Sequence, residues 1–216
     1  MPLYALFVLI AAWLSAAPLS KIAASLLFLP PLAPGVSHDL IVPHLWTISV
    51  EFQFYLLFPF LVSFLARYGL KYALALISLV VALRCMIWLG PKGMAGIQGV
   101  SSTLLGRLDQ FTIGMVAGAI YSGRSAFKRI EWLRNPLCLV FSCVLAVAVI
   151  YGFHRLGGYR HLGPRSWVWI VWPTLEALGW ACVVLTYTMC RFDWPSFISR
   201  GLAHLGTLSY SMYVSH

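Results

Sequence analysis

The chain has 216 residues, of which 61% are hydrophobic, 15% aromatic and only 10% charged. With a mean hydropathy of +0.85, that composition excludes a water-soluble globular protein and predicts an all-α, polytopic transmembrane helical bundle. Fifteen Lys and Arg against six Asp and Glu give a net charge of +9, but the basic residues lie between apolar runs and not along one stripe. This excludes a nucleic-acid interface and marks them as topology determinants and lipid-headgroup contacts.

Crossing the hydrocarbon core takes about 20 apolar residues. Six stretches qualify as complete spans: 3 to 20, 46 to 66, 70 to 89, 104 to 121, 137 to 153 and 167 to 190. A seventh begins near 204 and is cut off at His216, and Met1 enters an apolar run directly, so residues 1–216 read as the central part of a larger domain. No Lys or Arg precedes the first run, which argues against a signal peptide despite LSAAPL near its end. After it, IAASLLFL (22 to 29) is too short to cross and is followed by PPLAP, predicting a re-entrant or interfacial piece. No internal repeat is visible.

The stretch PHLWTISVEFQFYLLFPFL, Pro43 to Leu61, places a histidine, a carboxylate and a tyrosine in one membrane helix. At about 100° per residue, His44, Thr47, Glu51 and Tyr55 fall within an arc roughly 80° wide and form a polar stripe. Leu45, Ile48, Val50, Phe52, Phe54, Leu56 and Leu57 form the apolar remainder. A carboxylate at such depth costs about 2.5 to 3.5 kcal/mol on insertion scales and calls for an interior-facing partner. The alternatives are a functional Glu51 and a structural hydrogen bond between helices. Pro43 suits the first turn of this helix, whereas Pro59 lies inside it and predicts a kink with a free carbonyl at Tyr55.

Further along, GRLDQFTIGMVAG (106 to 118) puts Arg107 and Asp109 two residues apart. They point about 200° from each other on a helix, so each needs an outside partner. Arg107 is a candidate for a functional or ion-pair role, while Gly114 and Gly118 form a small-xxx-small pair suited to helix packing. Glu176, just after Pro173, reads as a cap for disrupted backbone or a partner for an arginine. His154 and His161 sit in a Gly-rich loop with Arg155, Arg160 and Arg165. Cys85, Cys138, Cys143, Cys182 and Cys190 show no CxxC and no clustered histidines; they read as small buried hydrophobes, with no metal site or disulfide. At the end, LGTLSYSMYVSH (205 to 216) presents Ser209, Tyr213 and His216 on one face.

HLWTISVEFQFYLLFPFL closely resembles the HxWSLxVEEQFYLxxP signature of the membrane acyltransferase 3 family, whose members acylate sugars of bacterial surface polysaccharides and related acceptors. Thr47 and Ile48 stand where Ser and Leu are usual, and Phe52 where a second Glu is common. Arg107 with Phe111, Gly114 and Gly118 is similar to the family's Arg, aromatic, Gly pattern, and the terminal stretch to its LGxxSYxxYLxH element. The resemblance implies transfer of an acyl group, acetyl in the first instance, from acyl-CoA to a hydroxyl of a cell-surface polysaccharide, lipopolysaccharide or related lipid-linked glycan. The setting it implies is a bacterial inner membrane, with the bilayer and the glycan as partners and acyl-CoA as donor substrate, no cofactor being bound. Its expected site residues are Glu51, with His44 in support, for catalysis, and Trp46, Tyr55, Arg107, Ser209, Tyr210 and His216 for substrate binding. The family's principal base, a histidine in its first helix, and the arginines ahead of the helix matching 3 to 20 are not in this sequence. The 216 residues alone are therefore expected to be inactive.

A transporter or channel is the competing class, because polar residues beside a proline kink also describe a translocation path; a nonfunctional fragment is the third. Orientation follows from loop charges. The segments after the second, fourth and sixth spans hold Arg67, Lys71, Arg124, Lys128, Arg129, Arg134, Arg191 and Arg200, eight in all, against five in the others: Lys21, Lys92, Arg155, Arg160 and Arg165. The richer set is assigned to the cytoplasm. A single cysteine at Gly158, in a cysteine-free background, is then expected to react with an impermeant maleimide on intact cells, and one at Ser125 to stay unlabelled. The reverse pattern would invert the orientation.

Overall fold

The computed structural model describes residues 2–27, 46–91, 97, 99–123, 131–156, 167–190 and 196–215, and in these it is helical apart from short turns. The helices are α1 (Pro2–Ser15), α2 (Leu19–Leu26), α3 (Trp46–Tyr68), α4 (Leu70–Leu89), α5 (Leu104–Ser122), α6 (Pro136–Arg155), α7 (Val168–Met189) and α8 (Ser196–Ser215). A 3-10 turn, Glu131–Arg134, leads into α6. Four of them, α3, α4, α6 and α7, are long and apolar enough to cross a membrane. At about 1.5 Å per residue they extend roughly 30 to 34 Å, matching a hydrocarbon core of about 30 Å.

The expected span at 3 to 20 is corrected. Its helix stops at Ser15, where Ala16 adopts a left-handed φ of 48°, and Pro18 precedes the separate helix α2. The amide of Ala17 donates to the carbonyl of Ala12 at 3.0 Å and that of Ala16 to Trp13 at 3.4 Å, closing the helix end as a left-handed cap does. Fourteen residues reach only about 21 Å. The hydroxyl of Tyr4, itself buried, donates to the Ser25 carbonyl at 2.8 Å, so α2 folds back on α1. A β-carbon in the left-handed region costs about 1–2 kcal/mol; Ala16→Gly is expected to stabilise the protein by about 1 kcal/mol, read as a raised midpoint of thermal unfolding in detergent. The last helix also differs, because it begins at Ser196, ahead of the expected start near 204.

Helix α5 is the centre of the bundle, packed against α3, α4 and α7. Its polar residues keep it out of the set of long apolar helices. It tolerates them because neighbours, and not lipid, satisfy them. A core of Val50, Phe54, Leu65, Ala73, Leu104, Met115 and Ala119 joins α3, α4 and α5, with the rings of Phe54 and Phe111 stacked at 4.0 Å. Between α3 and α4 there is a single residue, Gly69, at φ 61° and ψ −145°. Only glycine adopts that conformation without strain, and it lets the chain turn in one step. Ser142 with Thr186 (2.7 Å) and Gly179 facing Ala146 hold α6 antiparallel to α7 through small residues, as membrane helices pack.

Large side chains point outward from this bundle: Phe60 is 64% exposed, Leu79 63% and Phe141 70%. In water each would forfeit about 25 cal/mol per Å², whereas lipid tails solvate them. The protein is an integral membrane protein. The cysteines depart from the expectation of burial: Cys143 and Cys182 are exposed, the other three half-buried, and all five are free. In a bilayer the exposed apolar surface is a suitable place for a weakly polar thiol.

Candidate functional site

Among the described residues, two charged centres lie within the bundle. The first joins α4, α5 and α7. Arg84 (1% exposed) and Asp109 (0%) form a bidentate pair, Nη2 to Oδ1 at 2.8 Å and Nη1 to Oδ2 at 2.9 Å. Arg84 also donates to the carbonyls of Gly106 at 2.7 Å and Ile170 at 3.3 Å, and to the Thr174 hydroxyl at 3.1 Å. That hydroxyl in turn donates to Asp109 Oδ2 at 2.6 Å. The opposed charges, fork geometry and satisfied oxygens are what a buried ion pair requires. Sealed on all sides, this cluster is a clasp between three helices.

Backbone geometry makes the clasp possible. Ile170 lies in the first turn of α7, and its carbonyl accepts from Arg84 as well. At Gly106 a β-carbon would lie 2.0 Å from the Val100 carbonyl oxygen, so only glycine lets the preceding segment fold over the start of α5. Thr103 caps that start, its hydroxyl accepting from the Gly106 amide at 3.2 Å.

The second centre surrounds Arg107. The expectation that Arg107 and Asp109 face apart and find separate partners holds. Arg107 Nε donates to the Ser101 carbonyl at 2.7 Å, Nη1 donates to Gln110 Oε1 at 3.1 Å, and the guanidinium lies 5.3 Å from the centre of the Trp46 ring. Gln110 Nε2 then donates to the Pro173 carbonyl at 3.1 Å. One chain of polar contacts thus runs from α3 through α5 to α7. Beyond it a groove of about 650 Å³ opens between α5 and α7, with Arg107, Gln110 and Glu176 in its lining. Glu176 is half-buried and makes no hydrogen bond or ion pair among the described residues. Among the described residues it neither caps the helix nor pairs with an arginine, contrary to the expectation. Gly114 and Gly118 also line the groove; among the described residues a β-carbon at either would meet no atom beyond its own helix within 4 Å, which replaces the expected packing contact with open space.

Of the residues expected to carry function, the fold brings Trp46 and Arg107 together. Glu51 is exposed and Tyr55 is 61% exposed, on the side of α3 turned from its buried residues Ile48, Ser49, Val50, Gln53 and Phe54. The polar stripe therefore does not face the interior among the described residues. The apolar contacts of Val50 and Phe54 set the rotation of α3 and turn the stripe outward. His44 and His216 lie outside the described residues, as do the side chains of Ser209 and Tyr210. Sequence reasoning passed over Arg84, although it is the one charged residue inside the apolar run of α4. It also passed over Gln110 and Thr174, whose hydrogen bonds depend on which helices become neighbours.

Comparison with curated proteins and with solved structures found no match. A family model described as an acyltransferase domain matches residues 1–216. With the Trp46 signature helix packed on the Arg107 helix inside a membrane bundle, the chain belongs to the acyltransferase 3 family of membrane acyltransferases.

Proposed function

We propose that the protein transfers an acyl group, acetyl in the first instance, from acyl-CoA to a hydroxyl of a cell-surface polysaccharide, lipopolysaccharide or related glycan. The family match over residues 1–216 carries this reading, and the pairing of Trp46 with Arg107 supports it. In the reaction the acceptor oxygen forms a bond to the thioester carbonyl carbon, an oxyanion develops, and the carbon–sulfur bond breaks to release CoA, which takes up the proton lost by the hydroxyl. Such chemistry needs a base, donors for the oxyanion and cations for the phosphates of the donor.

Arg107 is suited to one of the last two tasks. Its planar guanidinium, backed by Trp46 and oriented through Ser101 and Gln110, presents donors in a fixed direction. Glu51, about 7 to 8 Å from the start of its helix, serves as a charged contributor on the open face of α3, with Tyr55 beside it. An exposed carboxylate on an otherwise apolar helix is stable in a membrane only when something polar covers it, and bound substrate meets that need. His44, Ser209, Tyr210 and His216 remain proposed contacts from the family resemblance, and residues 1–216 remain a proposed central part of the family domain.

The test is a transfer assay on membranes carrying the protein extended to the whole family domain, beside membranes carrying residues 1–216 alone, which are expected to be inactive, with acyl-CoA labelled in the acyl group. Label is expected in the glycan, with free CoA released in equal amount. Glycan movement with acyl-CoA intact would mean transport without chemistry.

A further inference from the structure

The groove between α5 and α7 has a graded chemistry. Toward one end stand a cation, an amide and a carboxylate, Arg107, Gln110 and Glu176; along the rest a strip of small residues, Gly114, Gly118, Ala177 and Ala181, lies beside larger apolar side chains. Helices α5 and α7 run parallel, since Gln110 reaches Pro173 near their starts and Tyr121 and Thr188 line the far end together. From Arg107 to Tyr121 is fourteen residues, about 21 Å along the helix, against about 15 Å for the hydrocarbon depth of one leaflet. The groove is thus long enough for a polar head at the membrane interface and a full alkyl tail beneath it. Its volume, about 650 Å³, is that of a ligand site.

The polar end selects among occupants. A neighbouring helix would seat well on the small residues but would lay an apolar flank over three polar side chains. The phosphate of an ordinary lipid would meet Arg107 but also the repulsion of Glu176, further along the same groove. A sugar head, whose hydroxyls both donate and accept, satisfies the carboxylate, the amide and the guanidinium together. We propose that this groove binds the amphiphilic acceptor. In this arrangement Glu176 accepts hydrogen bonds from hydroxyls of a saccharide head, Arg107 and Gln110 meet its oxygens, and the small-residue strip seats an alkyl tail. This rests on the acyl-transfer reading and narrows its acceptor to a glycan attached to a lipid. The loop-charge bias assigns the polar end to the outer side of the membrane, where such glycans are presented.

The proposal is tested on the protein in lipid nanodiscs with two photoreactive probes. One is a long-chain alkyl glucoside carrying a diazirine in mid-chain, and the other is the alcohol of the same chain without the sugar. The glucoside is expected to label Tyr121, Trp180 and Leu185 at least about 10-fold more than Val140 and Val144 on the outward face of α6. Excess unlabelled glucoside should remove that labelling, and the alcohol should label the groove about 10-fold less. Gly118→Leu fills open space and is expected to cut groove labelling by about 10-fold, while Glu176→Gln should erase the preference for glucoside over alcohol. Should Gly118→Leu fail to fold, the two-probe comparison on the unaltered protein still decides. Even labelling of the groove and of α6 would overturn the proposal, and equal labelling by the two probes would reduce the groove to an apolar seat and overturn it too. Because labelling needs no turnover, selective labelling together with an inactive whole family domain would refute acyl transfer alone, and an active one that labels evenly would refute the groove alone.

Discussion

Replacing Asp109 by alanine is expected to destabilise the bundle by about 3–5 kcal/mol, because it leaves the Arg84 guanidinium charged and buried without its counter-ion. The positions leave little room for compensation. Arg84 is 1% exposed, its Nε has no acceptor among the described residues, and the carbonyls of Gly106 and Ile170 offer only partial charge. For a chain of this size that loss corresponds to a fall of roughly 6–20 °C in unfolding midpoint, measurable in detergent by intrinsic fluorescence. Replacing both partners by apolar residues of similar volume, Arg84→Met with Asp109→Leu, is expected to recover most of the loss, since a buried pair is often near neutral against a well-packed apolar one. A single Asp109→Ala variant as stable as the unaltered protein would show that the clasp holds nothing together.

In the protein extended to the whole family domain, Glu51→Gln is expected to lower acyl transfer by a factor of about 10² or more, roughly 2.7 kcal/mol of transition-state stabilisation, while leaving the amount of folded protein unchanged. The substitution conserves volume and removes only charge. The structure makes the outcome simple to interpret: Glu51 is exposed on α3 and outside the Val50 and Phe54 contacts with α5, so its loss disturbs no packing. Activity and abundance in membranes, measured on the same preparation, separate the two effects. Unaltered transfer by a normally expressed Glu51→Gln protein would return this carboxylate to a structural role.

The two substitutions also show which parts of the molecule are legible in a linear chain. The spacing of Arg107 and Asp109, two residues apart on one helix, is enough to say that they cannot neutralise each other and that each requires a partner elsewhere. It does not name the partners. Asp109 meets Arg84, twenty-five residues earlier, and Arg107 meets the Trp46 ring, because α5 happens to lie between α3, α4 and α7. Similarly, the stripe of Thr47, Glu51 and Tyr55 is a consequence of helical period alone, but the direction in which it points is fixed by the competing contacts of Phe54 with Phe111. In water the polar face of a helix turns outward by default. In a membrane neither face has that default, so the rotation is decided by packing.

By itself, the sequence determined the solvent, the helical class, four of the membrane-crossing segments and the family, since each follows from local quantities: hydrophobicity, run length, and a motif contiguous from His44 to Pro59. Only the tertiary structure decided that the first apolar run breaks at Ala16, that Arg84 is locked to Asp109 and Thr174, and that Gly114 and Gly118 face an open groove with Glu176 at its polar end. The physical reason is common to all three. The folding of α2 back on α1 through Tyr4 and Ser25, a buried ion pair and an interhelical space each depend on groups distant in sequence becoming neighbours, and helical periodicity carries no information about which helix lies beside which.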